Sequence, residues 1–387
     1  MLAQIFEITM MNIRNIGSRL GSSSVIVVGI AGVVAVLVGL LSMAAGFTSV
    51  LESTSLENRA IVMRDGSNNE MSSGLAIDEF NVISRLEGIE LASAEIYLVA
   101  DVPKKGTGTP SNVIIRGMRQ AGFEVRPEMK IVAGRAFEPG KAELIVGVLA
   151  TTQFEGLEVG SQVDFRESSW RVVGHFETGG SAYESEIWAD LALVQSNFRR
   201  GGSISTIRVL LADPSQAASL NEQIVADPRL DLSLQTEEEF YSAQGEQQTT
   251  MINTFGYGIG FIMAIGAVFA ALNTMYSAVS ARTVEIATLR ALGFGGIPVV
   301  VSVMIEAVVL ALLGGTIGGI LVYVVFDGFT ASTLNNSSFS QIAFNFAVTP
   351  ELLQLGISWA LILGVVGGLF PAVRAARLPI TTALRGE

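Results

Sequence analysis

The chain has no cysteine and one histidine, His175, among its 387 residues. Without cysteine, disulfides, thiolate catalysis and cysteine-held metals are excluded. A lone histidine cannot build a multi-histidine site, so no metal is expected. Charge is also scarce. Asp, Glu, Lys and Arg make up 16% of the residues, against about 25% in ordinary soluble domains. The basic sign is the scarcer one, 24 residues against 36 acidic. A nucleic-acid binder would show a basic patch, and no nucleic-acid partner is expected. No GxxxxGK(S/T) run occurs, so these residues supply no P-loop. No nucleophile-elbow motif is present, and no catalytic residue is assigned.

Apolar residues are abundant instead, at 50% of the chain, with a mean hydropathy of +0.50. Four stretches reach the roughly 20 residues needed to cross a bilayer. They lie near 25–45, 252–276, 297–325 and 352–370. The first exceeds the 7–15-residue apolar core of a signal peptide. A cleaved leader, suggested by Ala44, Ala45 and Gly46, is therefore disfavoured. Arg14, Arg19, Arg282, Arg290, Arg374, Arg377 and Arg385 all fall on one side of the spans, and residues 327–350 hold no Lys or Arg. By the positive-inside rule that side is cytoplasmic.

The expected fold is a membrane protein of four transmembrane α-helices, with a large α/β extracytoplasmic domain inserted between helices 1 and 2. The expected partition begins with an amphipathic cytoplasmic segment at 1–24 and spans at 25–47, 251–278, 297–326 and 351–371. The domain and its stalk occupy 48–250, a cytoplasmic segment 279–296, a short outer loop 327–350 and a cytoplasmic tail 372–387. The domain carries 17 basic against 30 acidic residues. NVIIRGM, ELIVGVL, SQVDF, WRVVGHF and STIRVLL read as strands. Residues 77–86 and 214–225 read as helices. TEEEFYSAQGEQQTT, 236–250, reads as a stalk running into the second span, with Glu237, Glu238 and Glu239 on a solvated face. His175, in WRVVGHF, reads as an ordinary domain residue.

GYGIGF, 256–261, lies inside a span with no strand before it, so it is no dinucleotide loop. Gly256 and Gly260, Gly314 and Gly318, Gly315 and Gly319, and Gly364 and Gly368 are each four apart. That spacing lets helices approach closely in a bilayer. Glu306 is about ten residues into span three, roughly 15 Å deep. Two readings of it stand: a group that senses the state of the bundle, or a protonated or snorkelling acid bonded to a neighbour. In TVEIATLRALGFG, 283–295, Ile286, Leu289 and Leu292 share one helical side. Glu285 interrupts that stripe, and Arg282 is placed to pair with it. On these residues alone the segment is a loop whose arginines fix topology.

NTMYSAVSARTVEIATLRALGFGG and VMIEAVVLALLGGTIGG together resemble the FtsX-like permeases of ABC transporters. The matching residues are Arg282, Glu285, Ile286, Leu289, Arg290, Ala291, Leu292, Gly293 and Glu306. The ending PAVRAARLPITTALRGE is similar too, through Pro371, Arg374, Ala375, Ala376, Pro379, Ala383, Leu384 and Arg385. The outer domain is similar to the periplasmic core domain of MacB-like members, in pattern rather than in motif. A fused nucleotide-binding domain is not present in this sequence.

The resemblance implies a mechanotransmission permease, itself not an enzyme and holding no cofactor. ATP–Mg would bind to a partner, a dimer of cytoplasmic ABC ATPase subunits. A second permease copy or a paralogue would complete the assembly in the bacterial inner membrane. The resemblance extends the partners to a periplasmic membrane-fusion adaptor and an outer-membrane channel. Residues 282–294 would be the coupling helix, with Arg282, Glu285, Ile286, Leu289, Arg290 and Leu292 as coupling residues. Two outcomes follow. One is export of a substrate from the periplasm or outer leaflet; the other is activation of an extracytoplasmic hydrolase or sensor without transport.

Overall fold

The computed structural model describes residues 2–14, 20–335, 340–377 and 379–380. Arg19, Ala383, Leu384, Arg385 and the side chain of Arg14 lie outside the described residues. In chain order the elements are α1 (Leu2–Arg14), α2 (Leu20–Glu52), β1 (Arg59–Arg64), α3 (Ile77–Ile83), β2 (Ile89–Pro103) and β3 (Pro110–Met118). Next come α4 (Gln120–Glu124), β4 (Lys130–Gly134), β5 (Glu143–Gly147), α5 (Val148–Gln153), β6 (Gln162–Phe165) and β7 (Ser168–Glu177). A 3₁₀ turn, Ala182–Ser185, leads into β8 (Glu186–Asp190), followed by α6 (Leu191–Asn197), β9 (Thr206–Leu211), α7 (Ala217–Ala226) and β10 (Leu232–Thr236). The last elements are α8 (Glu237–Ala281), α9 (Thr283–Ala291), α10 (Gly296–Phe326), β11 (Thr330–Asn335), β12 (Ser340–Asn345) and α11 (Pro350–Arg377).

These elements form two units. One comprises Met1–Ala45, Met251–Phe329 and Phe346–Glu387; the other comprises Gly46–Thr250 and Thr330–Asn345. Within α2, α8, α10 and α11 lie the four stretches long and apolar enough to cross a membrane. Small residues set how closely these helices meet. A Cβ on Gly314 would stand 2.8 Å from the Val27 carbonyl oxygen, and one on Gly318 2.5 Å from that of Ala31, so α10 lies directly on α2. The opposite side of α10 meets α11: a Cβ on Gly315 would be 2.7 Å from Ala360 Cβ, and one on Gly364 2.5 Å from Ala311 Cβ. Gly319 faces Leu353, and Gly368 faces Ala307. Gly256 and Gly260 of α8 face Leu40 and Leu37 of α2 at looser distances of 3.4 and 3.0 Å.

Backbone has no rotamer with which to yield, so Gly318→Leu should separate α10 from α2. The expected loss is about 1–3 kcal/mol or more, read as a lower melting temperature of the chain in lipid nanodiscs. Among the described residues no neighbouring atom lies within 4 Å of such a Cβ on Gly258, and Gly258→Ala should not lower that temperature. Equal melting of Gly318→Leu and wild type would refute this packing.

The other unit is built on one ten-stranded sheet, ordered β10-β1-β9-β2-β3-β8-β5-β7-β4, with β6 on β7. Strand β2 joins its halves. Ile89–Glu95 pair antiparallel with β9, and Ile96–Pro103 pair antiparallel with β3. Strand alternation sorts the side chains. Ala60, Val62, Ala94, Ile96, Val113, Ile115, Ile207 and Val209 belong to one apolar core, which also takes in Ile83 of α3, Val194 of α6, and Leu220 and Ile224 of α7. The alternate positions include Arg59, Glu95, Arg116 and Arg208, all buried.

The segment between α10 and α11 is more than a loop. Its β11–β12 hairpin belongs to the α/β unit, with Ile342, Ala343 and Phe344 buried.

Candidate functional site

The charged segment of the helical unit begins where α8 stops. Arg282 closes α8, its N–H bonded to the Val279 carbonyl at 3.1 Å. Helix α9 ends at Ala291, and two residues on Gly293 turns the chain with a φ of +98°, open to glycine at little cost. There the Gly293 and Phe294 N–H groups bond back to Arg290 and Leu289, an αL stop for the helix.

Arg282 does not pair with Glu285. Its side chain is buried and reaches Glu306 on α10, with Nη2 to Oε1 at 2.5 Å. Only about 5% of either residue is exposed. The physical reason is desolvation. A carboxylate inside an apolar bundle needs a partner, whereas Glu285 sits at the surface where water serves. Glu306 is thus ion-paired rather than snorkelling. Arg282 Nε has no hydrogen-bond partner among the described residues. Arg282 lines a cavity of about 20 Å³, room for the centre of one water, walled also by Ile8, Met275, Ile286 and Val303.

The expected stripe on α9 is only partly realised. Ile286 is buried and Leu289 half-buried, but Leu292 lies past the end of the helix with 72% of its surface exposed. Arg290 is half-buried and Glu285 exposed. The structure therefore brings Arg282, Glu285, Ile286, Leu289 and Glu306 around one cavity and leaves Leu292 outside it.

The α/β unit holds a second cluster, which the sequence reading missed. Arg59, Arg116, Arg126 and Arg208 are at most 1% exposed, and they face the buried carboxylates Glu70, Glu95, Glu186 and Glu237. Arg116 makes a two-pronged contact with Glu186 at 2.8 and 2.7 Å, and reaches Glu70 and Glu95 at 2.8 and 3.0 Å. Arg126 holds Glu95 through two 2.7 Å bonds. Tyr183 lies amid the four guanidiniums, 4.6 to 5.7 Å from its ring centre, within cation–π range.

Glu237, expected on a solvated face, is fully buried. Arg59 and Arg208 both donate to it, as does the Tyr183 hydroxyl at 3.1 Å. Its neighbours differ. Glu238 is exposed, and Glu239 forms a capping box with Thr236: the Thr236 N–H donates to Glu239 at 3.0 Å, and the Glu239 N–H to Thr236 Oγ1 at 3.2 Å. That box fixes where α8 starts and so turns Glu237 towards Arg59 of β1 and Arg208 of β9. Every carboxylate here is matched by a guanidinium, which suits the cluster to fastening rather than to proton transfer. His175 stays outside it, its Nε2 bonded to the Leu157 carbonyl at 2.7 Å.

Burial alone would raise the Glu95 carboxyl, but Arg126, Arg116 and Arg208 outweigh it and hold it down at about 2. Glu70 is lowered by Arg116 and Arg208 in the same way. Carboxyls depressed on folding contribute stability above their unfolded value, and that stability is lost as pH falls through the folded value. The α/β unit should therefore weaken as pH falls from 4.5 towards 2. Trp188, which donates to Glu186 at 2.7 Å, reports it by fluorescence. Glu95→Gln should flatten this dependence while lowering stability at neutral pH. A wild-type unit indifferent to pH over that range would contradict the assignment.

The sequence model of the MacB-like periplasmic core domain matches residues 23–227, and that of the FtsX-like permease C-terminal region matches residues 257–380. The macrolide export ATP-binding/permease protein MacB of Campylobacter fetus is 23% identical over 410 residues, covering 99% of this chain and 61% of that protein. The ABC transporter permease YknZ of Bacillus subtilis is 26% identical over 328 residues, 79% of each chain. The crystal structure of the periplasmic region of MacB from Actinobacillus actinomycetemcomitans covers 48% of this chain and 92% of its own, at 16% identity and a TM-score of 0.38. The chain spans about three fifths of the length of the MacB relatives it matches.

Proposed function

This chain belongs to the ABC transporter permeases with a MacB-like periplasmic core domain and an FtsX-like C-terminal region, and from that premise we propose that it turns ATP hydrolysis by a cytoplasmic ATPase into movement of its α/β domain. The movement drives export of a substrate taken from the periplasm or the outer leaflet. The protein is a multi-pass membrane protein, and the bacterial inner membrane is the proposed location. The ATPase subunits bind ATP–Mg, and a second permease copy or paralogue completes the assembly. A membrane-fusion adaptor and an outer-membrane channel receive the substrate.

Helix α8 is the observation that carries this reading. It is a single helix of 45 residues, about 68 Å long at 1.5 Å per residue. Its last residue adjoins Arg282, locked to Glu306, and its first is Glu237, gripped by two arginines. Each end of the helix is thus fastened within its own unit, and the unbroken helix is the covalent link between them. The exposed Glu285 and half-buried Arg290 of α9 are the proposed contacts with the ATPase.

Reversing both charges, Glu285→Lys with Arg290→Glu, should weaken ATPase co-purification of the folded chain by about tenfold or more, the scale of a typical coupling energy. Purification in mild detergent followed by identification of bound proteins checks this. Undiminished ATPase binding and export would remove α9 from the coupling role. A stable complex with an extracytoplasmic hydrolase or a sensor, with no substrate flux in vesicles, would replace export by signalling.

A further inference from the structure

The 3₁₀ turn Ala182–Ser185 is buried at all four residues and passes directly into β8. Three separate segments of the α/β unit bond to it. The segment just after α2 does so through Thr54, whose Oγ1 accepts the Ala182 N–H at 2.8 Å. The adjacent Ser53 hydroxyl donates to the Gly180 carbonyl at 3.3 Å. The first turn of α8 does so through Glu237, which accepts the Tyr183 hydroxyl at 3.1 Å, and through Tyr241, whose hydroxyl donates to that of Tyr183 at 3.4 Å. The β11–β12 hairpin does so through Ala343, whose N–H donates to Ser185 Oγ at 3.0 Å.

These three segments are the ones that follow α2, begin α8 and join α10 to α11. Every described connection between an apolar helix and the α/β unit therefore bonds to the same four residues. The next residue, Glu186, is held by Arg116 of β3, and β8 lies between β3 and β5 inside the sheet. A turn that merely filled space would not need a separate polar bond to each connection, since apolar contact fills space at no desolvation cost.

We propose that Ala182–Ser185 is a mechanical hub, which couples the three connections to one another and hands their combined displacement to β8. Its purpose rests on the permease reading above. The coupling itself is a property of the chain and needs no ATPase to be measured. Coupling through a shared element is reciprocal: loosening one arm must loosen the others, whichever is disturbed first.

The test is hydrogen–deuterium exchange of the full chain in lipid nanodiscs, without nucleotide or ATPase. Ser185→Ala removes only the acceptor of the Ala343 N–H. Uptake should rise at 340–345 and also at 237–241, by about two- to tenfold in rate, the scale of one hydrogen bond. Tyr183→Phe keeps the ring and removes the hydroxyl that binds Glu237 and Tyr241. Uptake should rise at 237–241 and, by reciprocity, at 340–345. Helix α7 should exchange as in wild type in both variants.

Effects confined to the arm that each variant touches would overturn the hub. So would no change at all, or an equal rise in α7, which would signal general loosening. Any of these leaves the permease reading intact, because that reading is tested separately, by ATPase co-purification.

Discussion

Glu237→Ala should destabilise the α/β unit by about 3–5 kcal/mol, the usual result of stranding buried charge by removing one partner. Arg59 and Arg208 would then lose the carboxylate they share, at a site buried from solvent. Arg59 keeps the half-buried Glu128 at 2.8 Å and the Thr54 carbonyl at 2.6 Å, and Arg208 keeps Glu70 at 3.1 Å. The loss is therefore large without abolishing the cluster. Chemical denaturation followed by Trp188 fluorescence measures it. Glu238→Ala, one residue on and exposed, should stay within about 0.5 kcal/mol of wild type. Equal effects at 237 and 238 would mean that α8 is not fastened through this carboxylate.

The second large effect belongs to the pair between α8 and α10. Arg282→Ala or Glu306→Ala alone should cost about 3–5 kcal/mol, because either leaves one buried charge uncompensated. Replacing both, as Arg282→Met with Glu306→Leu, should recover most of that loss, since apolar side chains of similar volume suit the site at least as well. Thermal unfolding of the reconstituted chain gives the three values, and the double-mutant cycle isolates the pair. Strictly additive losses would show that the two residues act separately. If the double variant regains stability yet not export, the pair is kept for the position it gives to α9.

Much of this architecture could be read directly. A shortage of charge and four long apolar runs are enough to place the helices, because a bilayer tolerates little else. The paired glycines announced close approach, although not which helix each would meet. All five strands named from the sequence form, since each is an apolar run bounded by turn or polar residues, although the last two residues of ELIVGVL open α5 instead. β1, β2, β4, β8 and β10 escaped because their apolar runs are short or interrupted by charged and polar residues. The β11–β12 hairpin escaped for another reason: its burial comes from tertiary contact and leaves no local signature.

The ionic cluster shows where a single sequence stops short. Its members are scattered from Arg59 to Glu237, and only the sheet brings them together. A signal was nonetheless there. NVIIRGM and STIRVLL each place one arginine in an apolar strand, on the face opposite the aliphatic core. Such an arginine cannot be buried without an acid. TEEE carried the matching half: the capping box at Thr236 and Glu239 sets the helix start, and the helix start decides which of three consecutive glutamates turns inward. Similarly, sequence proximity favoured Glu285 for Arg282, whereas the cost of burying Glu306 selected the true partner.

The central claim is that events at α9 reach the sheet of the α/β unit. Its most direct test is deuterium uptake at 182–190 in the chain reconstituted with its co-purified ATPase, with and without a non-hydrolysable ATP analogue. The account predicts a nucleotide-dependent change there in the wild type, and its loss both in Glu285→Lys with Arg290→Glu and in Glu237→Gln. Uptake at 182–190 that ignores nucleotide in the wild type, or that responds equally in all three proteins, would contradict it.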